Sequence, residues 1–309
     1  MKKIFPGFID SLKAGTAQYF ENIAVFPVLG EGFQRRNEFI TLDEAMKGGY
    51  IEVKEISEGG SVPDLRVRNS SRKCLIIFDG ETLIGAKQNR IVNTTIIVLP
   101  GKEVIIPVSC VEKGRWRYKS RSFRSSSTRL YPELRKEVCR DTLNSLKMNS
   151  RAYSDQNKVW NYVDMKMEHM GVSSPTSAME DIFTEYGDRL TDFTKKFKPC
   201  DGQVGVGILI NNQLTLLEIF PDHEILKKSF QKVISSAGLD AIGYRKKPSA
   251  SAKGRGKSIQ GIFKKIKEGK IEAFNGVGGG KDLRITGEGV IGSAFEYGSE
   301  ILHLTVFPD

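Results

Sequence analysis

The chain has 309 residues, a hydrophobic share of 39% and a net charge of +10, which is enough apolar material for one large domain or two ordinary ones. No apolar run nears the roughly 20 residues of a membrane helix. Pro6, Asp10, Lys13 and Gln18 interrupt the stretch after the basic start, which argues against a signal peptide. Cys74, Cys110, Cys139 and Cys200 stand far apart with no Cys-x-x-Cys pair, as expected of free thiols in a cytoplasmic protein. His169, His223 and His303 lack zinc-ligand spacing, so no dedicated metal site is expected, while a carboxylate magnesium site stays open. The charge is concentrated: residues 113–158 and residues 244–270 each carry a local balance of +9, so the remainder of the chain is net negative. Such clusters raise the local concentration of anions, although a single charged run is more often a solvated face.

In chain order, residues 1–20 read as a lead segment, 21–125 as β-rich, 126–200 as helical and 201–309 as mixed. A strand is expected over Asn22–Leu29, and Thr41-x-x-Glu44 is a capping-box pattern opening a short helix at 42–47. Strands follow at Tyr50–Ile56, Leu65–Arg68 and Cys74–Phe78. Asp79-Gly80 signals a hairpin with Glu81–Ala86 as the return strand. The β-branched run Ile91–Leu99, the Pro100-Gly101 turn and Val104–Val111 complete this part. Pro132 opens a helix carrying Leu134, Val138, Thr142 and Leu146. Ser154 caps a second that ends at Gly171. A third, from Ser174-Pro175, bears one apolar stripe from Met179 to Phe197, which reads as core packing. A hairpin is expected around Asn211-Asn212, then a helix from Asp222 to Gly238. A mobile basic loop is expected at 246–258, a short helix near Ile259–Lys267 and a closing hairpin around Gly298-Ser299. This order is α+β and lacks the alternating units of a Rossmann sheet.

Two glycine-rich runs invite phosphate-loop readings. Gly287–Gly292 matches Gly-x-Gly-x-x-Gly, but a β-like run follows it where a dinucleotide fingerprint needs a helix. Gly276–Lys281 lacks the Walker spacing and reads as a mobile loop. Two other stretches carry more chemistry. Lys87, Gln88, Asn89 and Arg90 place four polar side chains at a strand entrance, where they can read an anion or an amide. The alternative is an ordinary polar hairpin loop. Arg115, Trp116, Arg117 and Tyr118 alternate, so an extended backbone puts both arginines on one face and both aromatics on the other. Such faces suit phosphate contact and base stacking, or simply one solvated and one core face. Asp79, Glu81 and Glu112 are the nearest carboxylates. Glu81 and Glu112 are the candidates for a general base, whereas Cys110 reads as a buried, inert thiol.

Glu58–Val62, the run Gly85-Ala86-Lys87-Gln88-Asn89-Arg90, Pro107–Glu112 with Gly114-Arg115-Trp116, Ser154-Asp155-Gln156 and Gly287–Gly292 together resemble the ADP-ribosyl glycohydrolase and rhodanese-phosphatase-superfamily-associated protein domain. That is a prokaryotic family of unknown molecular function. The resemblance runs from about residue 20 to the end, which implies one family domain over 21–309, with the basic stretch near 246–258 as a variable insert. It implies an association with ADP-ribose and NAD-linked enzymes, adds weight to the residues named above, and supplies no catalytic assignment or cofactor. Three readings follow. The first is a domain that binds a phosphate-bearing, nucleotide-like ligand through Lys87, Gln88, Asn89, Arg90, Arg115, Trp116 and Arg117. The second is a hydrolase or transferase on an ADP-ribose-linked substrate with Glu81 or Glu112 as base. The third is a nucleic-acid-binding protein using the two basic segments.

Overall fold

The computed structural model describes residues 4–30, 38–244 and 256–309. The chain opens with α1 (Ile4–Asp10), β1 (Leu12–Ala14), β2 (Gln18–Phe20) and β3 (Ile23–Gly30). It continues through β4 (Phe39–Thr41), α2 (Leu42–Lys47), β5 (Ile51–Glu55), β6 (Asp64–Asn69), β7 (Cys74–Ile77), β8 (Glu81–Gly85), β9 (Arg90–Val92), β10 (Ile96–Val98), β11 (Glu103–Cys110) and β12 (Phe123–Arg129). The helices α3 (Pro132–Asn149), α4 (Gln156–Met170), α5 (Met179–Glu185) and α6 (Gly187–Lys196) follow. After these come β13 (Gln203–Ile210), β14 (Gln213–Ile219), α7 (His223–Gly243), α8 (Gly256–Glu268), β15 (Lys270–Asn275), β16 (Lys281–Gly287), β17 (Val290–Tyr297) and β18 (Glu300–Pro308). The class is α+β, as expected. Among the described residues no helix is long and apolar enough to cross a membrane.

The chain divides into two compact units that are interleaved in sequence. The first comprises Met1–Arg36, Asp188–Phe274 and Gly280–Asp309; the second comprises Asn37–Gly187 and Asn275–Gly279. The first unit is built on a nine-stranded sheet, ordered β1-β3-β13-β14-β18-β17-β16-β15 with β2 beside β3. Phe5, Ile9 and Leu12 join its apolar core, so the lead segment is part of this unit. The hairpin β13–β14 turns on Asn211 and Asn212, both at positive φ, as asparagine tolerates best among side-chain-bearing residues. Helix α7 starts at Asp222, whose carboxylate accepts the Ile225 amide at 2.8 Å. It runs past Gly238 to Gly243: Gly238 is buried inside the helix because a side chain there would press on Leu190 and Phe193. The anticipated basic loop falls mostly on residues outside those described, and its last three positions begin α8.

The second unit holds a six-stranded sheet, β12-β8-β9-β11-β6-β5, and a three-stranded sheet, β10-β7-β4. The capping box of α2 forms as read: the Thr41 hydroxyl accepts the Glu44 amide at 3.4 Å and the Glu44 carboxylate accepts the Thr41 amide at 3.0 Å. Several expectations are corrected here. Asp79-Gly80 does not close a hairpin. Strand β7 pairs with β4 (parallel) and β10, whereas β8 pairs with β9 and β12. The Gly80 amide instead donates to Val92 at 2.7 Å and its carbonyl accepts from Leu130 at 2.9 Å, so the turn hands the chain from one sheet to the other. Ile91–Leu99 likewise splits into β9 and β10 in different sheets. Asp155, not Ser154, caps α4; its carboxylate accepts the amides of Asn157 and Lys158. The apolar stripe of the third helix breaks at Tyr186–Gly187: Met179, Ile182 and Phe183 bury in the second unit, and Leu190, Phe193 and Phe197 in the first.

Candidate functional site

Strands β8, β9 and β11 are neighbours in the six-stranded sheet, and this adjacency joins the two singled-out stretches. Register pairs Leu83 with Arg90 and Arg90 with Cys110. The chain between β8 and β9 thus lies beside the chain leaving β11. The Val111 amide donates to the Asn89 carbonyl at 3.0 Å, fixing that juxtaposition through the backbone.

The segment after β11 is not extended, which corrects the period-two reading. The Gly114 amide donates to Thr176 at 2.8 Å and the chain turns. Arg115 consequently points inward, with 7% of its surface exposed, while Arg117 is exposed. The two arginines therefore do not share a face. The Arg115 guanidinium makes a two-pronged pair with Glu112: Nε donates to Oε1 at 2.8 Å and Nη2 to Oε2 at 2.6 Å. Its other nitrogen, Nη1, donates to the backbone carbonyls of Ala86 at 2.6 Å and Arg117 at 3.0 Å. Glu112 also accepts the Asn89 amide at 3.1 Å and the Thr176 hydroxyl at 2.9 Å. Burial pushes its carboxyl up, but the Arg115 fork and the Asn89 and Thr176 hydrogen bonds win and hold it below the usual carboxylate range. Both oxygens are occupied, so the group acts as a brace between the β8–β9 loop and the chain after β11.

This depression has a pH consequence. A carboxyl held low in the fold contributes stability that is present above its unfolded value, about 4.3, and is lost as pH falls through the folded value. The stability difference between wild type and Glu112→Gln should therefore be constant above about pH 5 and narrow below about pH 4. Urea unfolding at a series of pH values measures it; a difference that widens with acid would refute the assignment.

The other residues of the first stretch take distinct places. Lys87 donates from Nζ to the Gly59 carbonyl at 2.8 Å and lies 5.3 Å from the Trp116 ring centroid and 5.0 Å from that of Tyr118. Its amide donates to Glu55 Oε1 at 3.4 Å. Asn89 Oδ1 accepts the Gly85 amide and Arg115 Nη2, locking the loop. Arg90 is completely buried; its Nη1 donates to Gln88 Oε1 at 3.2 Å, and its guanidinium lies 5.6 Å from the Trp116 ring centroid. Trp116 and Tyr118 remain 45% and 49% exposed, so the aromatics form an outer wall over buried cations.

Cys110 sits beneath, buried, with its thiol pushed up to about 11 by burial despite the opposing pull of Arg90. It stays protonated near neutrality and is a poor nucleophile. Gln156 brackets the same residue, accepting the Cys110 amide at 2.7 Å and donating to its carbonyl at 2.8 Å. Ser154 shares a 2.5 Å hydrogen bond with Ser109. The Ser154–Gln156 motif is thus docked on β11 beside the site. Glu81 stands elsewhere on β8, in register with Arg129, and none of the hydrogen bonds or ion pairs of Lys87, Arg90, Glu112 or Arg115 among the described residues goes to it.

Sequence reasoning missed Glu55 and Thr176; it named Gly60 only within the Glu58–Val62 run, and Tyr118 as an aromatic beside Trp116 but not among the ligand-binding residues. A signal existed for Glu55. Along β5 the inward positions are Val53 and Glu55, so an acid occupies the parity of the core. Gly60, at φ +76°, lets its loop close against the site: a Cβ there would lie 3.1 Å from Lys87, 3.3 Å from Trp116 and 3.4 Å from Glu55 Oε2.

These features define an α+β protein whose second unit carries a buried, braced cluster of cations and carboxylates behind an aromatic wall. The chain belongs to the family of the ARG and Rhodanese-Phosphatase-superfamily-associated Protein domain, whose model matches residues 11–307. No curated protein and no solved structure matches the chain.

Proposed function

We propose that this cytoplasmic protein binds a phosphate-bearing, nucleotide-like ligand, related to ADP-ribose or NAD, at the wall formed by Lys87, Trp116 and Tyr118. The observation that carries the reading is the ammonium of Lys87 held about equally between two half-exposed aromatic rings. The rings offer a stacking surface for a base, and the cation beside them attracts phosphate. Arg117, exposed at the same turn, adds a second positive charge. Gln88 and Asn89 shape the loop, and Arg115 braces it from within. The family's name, with its reference to ARG proteins, agrees with such a ligand. Calorimetric titration with ADP-ribose and NAD is the test. Trp116→Ala should weaken binding by about tenfold, the value of one base–aromatic stack. Absence of binding to the folded wild-type chain at millimolar ligand would reject the reading.

Binding is favoured over catalysis because Glu112 has no free oxygen and Glu81 stands apart from the cluster. The hydrolase reading would gain from turnover of an ADP-ribose-linked substrate that disappears in Glu81→Gln. The nucleic-acid reading draws on Arg117, Lys119 and Arg121, all exposed on the turn after β11. Its mark would be RNA or DNA binding that weakens steeply with salt.

A further inference from the structure

Arg90 and Arg115 are both buried in the second unit, and their side-on edges differ. In Arg115, Nε and Nη2 grip the Glu112 carboxylate. In Arg90 the same two nitrogens are buried without a hydrogen-bond partner among the described residues. The nearest carboxylate oxygen, Glu55 Oε1, lies 3.7 Å from Nη2, beyond hydrogen-bond reach. Glu55 Oε2 is also buried without a partner. An open fork on a buried cation and an open acceptor on the adjacent carboxylate are each costly unless something fills them. Charge points the same way. Among the described residues, the carboxylates that Lys87, Arg90 and Arg115 bond or pair with are Glu55 and Glu112, so the cluster keeps one positive charge. Gly60 and Trp116 close the outer side, near Glu55 Oε2 and the Arg90 guanidinium respectively.

We propose that Arg90 and Glu55 form a subsite for a monoprotonated terminal phosphate, whose oxygens accept from Nε and Nη2 and whose P–OH donates to Glu55 Oε2. This rests on the nucleotide-ligand reading and narrows it to a derivative that carries a phosphate monoester, because the doubly esterified pyrophosphate of ADP-ribose or NAD has no proton to give near neutrality. Arg in this side-on geometry matches two phosphoryl oxygens, and the second ionisation of a phosphate monoester near pH 6 leaves a share of it protonated close to neutrality. Glu55 serves as a discriminator. Sulfate presents the same oxygens but no proton at this pH, and would leave the carboxylate facing an anion without a hydrogen bond.

The experiment is calorimetry on the full chain at pH 6.5 with inorganic phosphate, with sulfate at matched ionic strength, and with ADP-ribose in parallel. Wild type should prefer phosphate to sulfate by about tenfold or more, the worth of one charge-assisted hydrogen bond. Glu55→Gln, whose amide can donate to either anion, should reduce the preference to within about threefold. Arg90→Lys, which loses the fork, should weaken phosphate by about tenfold or more. Equal affinity of wild type for the two anions, no phosphate binding, or a preference that survives Glu55→Gln would each overturn the subsite. The wild-type ratio decides even where a variant fails to fold. ADP-ribose binding that persists alongside equal phosphate and sulfate affinities would overturn the subsite alone; loss of all three ligands would overturn the wider reading as well.

Discussion

Arg115→Ala is expected to destabilise the second unit by about 3–5 kcal/mol, the cost of breaking a buried ion pair by removing one partner. The pair is 7% exposed on both sides, so solvent cannot replace the lost guanidinium. Glu112 would stay buried with only the Asn89 amide and Thr176 hydroxyl to compensate its charge, and the Ala86 carbonyl would lose its 2.6 Å donor. For a unit of this size such a loss lowers the melting temperature by roughly 10 °C. Arg115→Lys should recover little, because an ammonium cannot span both carboxylate oxygens and the carbonyls of the β8–β9 loop. A melting temperature within a degree or two of wild type would contradict the brace.

The second large effect is expected at Gly278. This residue has φ +79°, and a Cβ on it would lie 1.7 Å from the Ile97 carbonyl oxygen of β10. Backbone is the obstacle, so no rotamer change relieves it. The turn at Gly276–Gly279 would have to retreat by more than an ångström, losing the bond from the Ile97 amide to the Val277 carbonyl and lifting Val277 from the core it packs against. Gly278→Ala adds the left-handed backbone penalty, roughly 1–2 kcal/mol, to that displacement. We expect a total of about 3 kcal/mol or more, read as a shift of the denaturation midpoint. An unchanged midpoint would show that the turn adapts without cost.

Both predictions rest on residues whose chemistry was visible in the chain and whose role was not. Local rules did well where the physics is local. The α2 capping box, Pro132 at the start of α3, Gly171 after α4 and the Asn211-Asn212 turn all form as their residues dictate, because each needs only neighbours within a few positions. The rules failed where a choice of partner was involved. Cys74–Ile77 is apolar on nearly every side chain, so its sequence specifies a buried strand and not which strand lies beside it. Gly276–Gly279 looks mobile by composition, yet it is held by a backbone approach that only glycine permits.

The candidate site shows the same division. The sequence by itself singled out the candidate residues: Lys87–Arg90 and Glu112–Trp116 are rich in groups that are expensive to bury, and a chain does not place such groups beside apolar strands without partners. It also determined the class of fold, through the order and periods of its elements. Only the tertiary structure decided that the two stretches meet, that Arg115 spends its charge on Glu112 while Arg90 keeps an open edge beside Glu55, and that Glu81 stands apart. The physical reason is that a pairing energy depends on distance and burial, both set by which strands lie side by side. Strand order is a property of the whole chain, and no window of residues contains it.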